Sequence, residues 1–160
     1  MTRRFGIVHG FTLIEVVIAV VVLAIAVPPT LNLMDSASAG RVNAINVTRA
    51  ACLSTLVLET VIADMASADP ALGFSALDDP SVYLESPTNG LYARLAALTA
   101  PYSRVGITYT LEIGPLVASD GMVSDNTGEN VFRMIAVNIK FVSANSSPFV
   151  MPVSIMVSEL

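Results

Sequence analysis

Gly10-Phe11-Thr12-Leu13-Ile14-Glu15-Val16 opens an apolar run that continues to Val27 with one charge in it, Glu15. Ahead of the run are ten residues that carry Arg3 and Arg4 and no acid. A secretory signal places its small-residue cleavage junction after the apolar stretch. Here the one small-residue junction near the start, Gly10-Phe11, comes before it. A cut there removes the arginines and leaves the hydrophobic segment on the chain. Glycine suits that position because a backbone without a side chain can be approached closely.

The apolar character extends weakly past Pro28 and Pro29 to Met34. Phe11 to Met34 is 24 residues, about 36 Å as a helix and enough for a hydrocarbon core of roughly 30 Å. Val16 to Val27 is rich in Val, Ile and Ala. β-Branched residues are mediocre helix formers in water, but lipid obliges the backbone to satisfy itself, so a helix is the form to expect. Arg3 and Arg4 precede the span and the next base is Arg41. The positive-inside bias then puts the N-terminus in the cytoplasm and the remainder outside. Proline lacks a donor and disfavours helix in the residue before it. A kink or a locally melted turn is therefore predicted at Pro28-Pro29, and Ser36-Ala-Ser-Ala-Gly40 is a second weak point.

The composition agrees with an anchored chain. Of 160 residues, 54% are hydrophobic and 13% are charged, about half the charged share of an ordinary soluble domain. Some of that apolar surface must meet lipid or another subunit. The net charge of -5 argues against a nucleic-acid partner, which calls for a basic patch.

Helical spacing resumes from about Arg41 to Ala68, with Cys52, Leu53, Leu56, Val57, Val61 and Met65 on one stripe. Asn43, Asn46, Glu59 and Asp64 fall to other faces. Cys52, the only cysteine, reads as a small buried hydrophobe. Asp69-Pro70 ends the pattern. Residues 70–90 hold several prolines and glycines and read as loop with a short helical turn. Leu91 to Leu98 can form a short helix, stopped by Pro101. The last third changes to period two: Gly106–Ile113, Val131–Val142 and Phe149–Val157 read as three strands parted by turn residues. In the second, Arg133, Asn138 and Lys140 stand off the apolar face.

The fold expected is α+β, one long N-terminal helix packed on an antiparallel sheet of three to four strands. Its parts are a leader (1–10), a transmembrane and assembly helix (11–34), an amphipathic continuation (35–69) and an exported head (70–160).

At Gly10-Phe11-Thr12-Leu13-Ile14-Glu15-Val16 and the helix behind it, the chain resembles the type IV pilin and type II secretion pseudopilin superfamily. The resemblance is close over the first 25 to 30 residues and architectural beyond them. It implies cleavage after Gly10 by a prepilin peptidase and N-methylation of Phe11 as the new terminus. It also implies that Glu15, about one helical turn on, meets the N-terminal amine of a neighbouring subunit during assembly. An acid inside an apolar span is costly enough to call for a partner. The plainer alternative is an interfacial acid favoured by the helix dipole.

The only histidine is His9, in the leader, so the processed chain offers no Ser-His, Cys-His or His-metal arrangement. An enzyme is not expected, nor is a cofactor. Asp120, Asp125 and Glu129 bring hard oxygen donors of the kind calcium takes into one turn-rich loop. Their spacing matches no calcium motif, and a solvated hairpin loop is the simpler reading.

The function expected is a structural subunit of a type IV pilus-like filament. A lone cysteine cannot close the C-terminal disulfide loop of many major pilins, which favours a pseudopilin, and a minor one, of a type II secretion system. The alternative is a single-pass anchored binding module outside any filament. The resemblance implies prepilin peptidase, sibling pilin or pseudopilin subunits and an inner-membrane assembly platform as partners. The inner membrane is the place implied, with the head periplasmic.

Overall fold

A computed structural model describes residues 11–69 and 71–159. In chain order come helix α1 (Leu13–Met65), a 3-10 turn (Phe74–Asp78), α2 (Pro80–Glu85), α3 (Leu91–Ser103), strand β1 (Thr108–Val117), a 3-10 turn (Thr127–Glu129), β2 (Phe132–Val142) and β3 (Pro148–Ser158). The strands form one antiparallel sheet in the order β1-β2-β3. This is the α+β arrangement expected, with three strands.

The chain divides into two compact units, the first ending at Arg41 and the second beginning at Val42. In the first, every residue from Phe11 to Ser38 is exposed. Of the two outcomes expected at Pro28-Pro29, a kink or a melted turn, the melted turn does not occur. The helix runs unbroken through Pro28 and Pro29 and through Ser36–Gly40. Each proline forfeits one backbone bond, and a glycine costs about 1 kcal/mol against alanine. Neither outweighs the cooperative bonding on both sides. Thr30 Oγ1 donates to Ala26 O at 2.7 Å and Val27 O at 2.8 Å, so two carbonyls beside the prolines gain a donor.

The second unit has a true core. Ala50, Leu53, Ser54, Val57, Leu58, Val61 and Asp64 form the buried stripe of α1. The inner face of the sheet supplies Leu111, Ile135, Val137, Ile139 and Phe141, and Leu77, Tyr83, Leu84, Leu91, Leu95 and Ile107 fill the space between. β2 is the central strand and buries every second residue, as one covered sheet face requires.

The phase of the helix corrects two expectations. Cys52 is exposed, because a stripe through residues 50, 53, 57 and 61 turns position 52 outward. Asp64 lies inside that stripe and is buried. Arg133 is corrected too: it shares the inward face with Ile135 and is buried. Both charges are held by partners from distant parts of the chain. Arg94 Nη1 donates to Asp64 Oδ1 at 2.7 Å, and the Tyr83 hydroxyl donates to Asp64 Oδ2 at 2.6 Å. Arg133 Nη1 donates to Leu77 O and Gly114 O, each at 3.0 Å, and its Nη2 pairs with Asp78.

Element ends moved as well. α1 stops at Met65, short of Ala68, and Pro70 lies outside the described residues. α3 carries Pro101 within it and continues to Ser103. In the last turn, the missing proline donor interrupts a ladder that is ending anyway, and Arg104 N still reaches Ala100 O at 3.1 Å. β1 runs past Ile113 to Val117 through an irregularity at Gly114-Pro115. An edge strand tolerates proline there. Within 70–90, α2 starts on Pro80, with Asp79 as cap accepting from Val82 N at 3.2 Å.

Candidate assembly site

The start of α1 is closed by its own residues. Thr12 is the N-cap and Glu15 stands three positions on. Glu15 N donates to Thr12 Oγ1 at 3.3 Å, and Thr12 N donates to Glu15 Oε2 at 3.0 Å. This reciprocal exchange is the capping box, in which two donors at the helix end are satisfied at once. The Thr12 hydroxyl also donates to Oε2 at 3.0 Å. Both contacts go to one carboxylate oxygen, and Oε1 accepts nothing from the described residues. Thr12 belongs to the motif Phe11-Thr12-Leu13-Ile14-Glu15. The Thr-x-x-Glu spacing ahead of an apolar run was the signal that assigns it a task.

Around this cap the surface is apolar and uncovered. Phe11 is 87% exposed and immediately precedes the cap. Behind it, α1 is long and apolar enough to cross a membrane, and every residue from Phe11 to Ser38 is exposed. A soluble surface rarely shows a contiguous apolar patch beyond a few hundred Å2, so this stretch fits a membrane or other helices. Gly10, where cleavage is expected, lies outside the described residues.

The loop between β1 and β2 is built from its own side chains. Asp120 Oδ1 accepts from Met122 N at 2.9 Å. Glu129 takes donors from Ser124 Oγ and Asn126 Nδ2, each at 2.9 Å. Asp120, Asp125 and Glu129 are not brought together: among the described residues no group of three or more His, Cys, Asp or Glu is placed to hold a metal ion.

Within the head, the perturbed groups serve packing and capping. Burial, then hydrogen bonding to Asp64, pushes the Tyr83 phenol well above its usual range. The Asp64 carboxylate likewise raises Arg94. Burial pushes Tyr109 up to about 12, with the ring of Tyr92 against it edge-on at 5.6 Å. Asp79 is held low by the Ser81 hydroxyl and the Val82 amide, as expected of an ionised cap.

A family model described as the prokaryotic N-terminal methylation motif matches residues 8–27. A search of curated proteins and a search of solved structures each returned no match. The motif implies processing by prepilin peptidase and subunit assembly of the pilin kind, and the exposed apolar helix behind it fits a single-pass membrane-anchored protein. With that motif leading into a capped, uncovered helix, the chain carries the N-terminal signal of type IV pilins and pseudopilins.

Proposed function

We propose that this chain is a structural subunit of a type IV pilus-like filament, a pseudopilin of a type II secretion system. It is cut after Gly10 at the inner membrane and assembled through its N-terminal helix, with its head on the periplasmic side. The observation that carries the reading is the methylation motif placed on a stretch of helix, Phe11 to Ser38, whose side chains find no cover among the described residues. The subunit acts by geometry rather than by catalysis.

The cap suggests how Glu15 works. Its Oε2 is engaged by Thr12, so the carboxylate is aimed before any neighbour arrives. Cleavage makes the Phe11 nitrogen an ammonium. The free oxygen of Glu15 can then take the ammonium of an adjacent subunit offset along the helix axis. In a low-dielectric setting such a charge-assisted bond is stronger than in water, and an isolated subunit lacks it. The pairing sets the register between helices.

Sheared filaments from the native cell provide the test. The chain is expected in them in processed form, and Gly10→Val should leave it uncut and missing. A minor subunit would be scarce in that fraction and a major one abundant. Normal export and function with no trace of the chain in filaments would favour an anchored binding module.

A further inference from the structure

The sheet has two edges, β1 and β3. An open edge offers unpaired amides and carbonyls to any strand that comes beside it. Which groups face outward follows from the register. The Leu111 amide donates to the Tyr92 hydroxyl at 3.2 Å, so it points away from β2. Leu111 lies opposite Val137, and Val137 lies opposite Val153. Bonded and non-bonded pairs alternate along an antiparallel ladder. Leu111–Val137 is therefore a non-bonded pair, Val137 turns its backbone groups to β3, and Val153 is bonded to it. On either side of Val153, Pro152 and Ser154 then face the open edge. The register of β2 and β3 runs without a shift from Pro148 to Ser158, so Pro148, Val150, Met156 and Ser158 face it too.

Two of these outward positions, Pro148 and Pro152, carry no donor. Proline also sets its ring where the amide hydrogen would stand, so an approaching strand meets carbon there. Both prolines stand where they cost the sheet no bond to β2. On the other edge, the Leu111 amide is already taken by Tyr92. Beyond it the ladder is irregular at Gly114-Pro115, where a proline again removes a donor. The stretch of β3 left open, Ser154 to Ser158, is short for a lasting pairing.

We propose that Pro148 and Pro152 on β3, with Tyr92 and Pro115 on β1, close the sheet to a strand from a second copy of the head. A chain held in a membrane beside its copies meets them at high effective concentration, where an open edge pairs indiscriminately. The inference goes beyond the filament reading and holds for an anchored chain equally, because it concerns a contact that is blocked.

The test is hydrogen exchange of the full chain in detergent micelles, followed residue by residue by NMR. Val153, Ile155 and Val157 should be protected by β2, and Val150, Ser154 and Met156 should exchange at least about a hundredfold faster. Equal protection in the two sets would mean that a strand already covers the edge, and would overturn the proposal. Pro148→Val combined with Pro152→Val supplies the missing donors at two exposed positions, in a residue that favours strands. The double change should about double the particle mass relative to the unchanged chain and slow exchange at Val150 and Ser154 about tenfold. A mass and an exchange pattern that stay as before, with Val153 still protected, overturn the proposal. If Val153 loses its protection, the strand itself has opened, and Pro152→Val alone decides by the same two readings. Tyr92→Phe should speed exchange at the Leu111 amide about tenfold, and an unchanged rate there overturns the part given to β1. None of these readings uses filaments, so failure here leaves the filament proposal standing, and absence from filaments leaves this one standing.

Discussion

Two stretches of one helix, Leu13–Arg41 and Val42–Met65, solve opposite problems. The first is apolar as far as Val27 except for Glu15, weakly so to Met34, and down to Ser38 it buries nothing. The second is mixed in composition and buries a stripe at three- and four-residue intervals from Ala50 to Asp64. Backbone geometry is the same in both, so what differs is where the partner comes from. The second stretch finds its cover in its own chain, in the sheet and in α2 and α3. The first has to find it in lipid or in other subunits. Burial inside one chain and burial between chains can therefore be told apart along a single element.

Substitutions on the two stretches should accordingly read out in different assays. Glu15→Ala should lower incorporation into sheared filaments at least about tenfold, the loss of one desolvated charge pair, without moving the melting temperature of the head. A drop in melting temperature would mean that the two stretches are not independent. Leu53→Ala does the opposite: it opens a cavity under the sheet and should cost about 3 kcal/mol of head stability, read by thermal unfolding in detergent. Asp64→Asn leaves Arg94 and Tyr83 without their charged acceptor. It should cost about 2 kcal/mol in the same assay, below the value for a fully buried pair because Arg94 is partly solvated.

Alkaline pH supplies a milder test of the head. Tyr109, pushed up to about 12 by burial, keeps its proton in the folded head after the unfolded chain has begun to lose it near 10. The folded state therefore binds more protons in that interval, and stability falls as pH rises from about 10 through about 12. Below that window the contribution is fully present. Tyr109→Phe should flatten the decline, and an unaltered slope would contradict the assignment. Smallest of all, Cys52→Ser should change head stability by under about 0.5 kcal/mol, as befits an exposed position. A larger loss would mean that the stripe has been given the wrong phase.

What could be read without coordinates was whatever depends on neighbours in sequence. The junction at Gly10-Phe11, the apolar run, the acid at Glu15 and the period-two strands all have local signatures. Asp64 and Arg133 did not, because the groups that hold them are far along the chain: Arg94 is 30 residues from Asp64, and Leu77 is 56 residues from Arg133. A charge is assigned to the outer face by default, and only its partners reverse that. Pro101 misled for a related reason, as did Pro28 and Pro29 in pointing to a melted turn. Proline weakens a helix locally, but whether the helix ends is set by what surrounds it. The Thr12–Glu15 cap is the contrary case, local enough to be legible and overlooked behind the larger motif.

The central claim is that the apolar helix begins, in the working protein, at a new terminus made by cutting before it. N-terminal sequencing and intact mass of the chain recovered from membranes and filaments test this directly. The account predicts a chain that starts at a methylated Phe11, shorter by residues 1–10, with the apolar stretch retained. A chain that still starts at Met1, or one cut beyond Val27 with the apolar stretch removed, would contradict it.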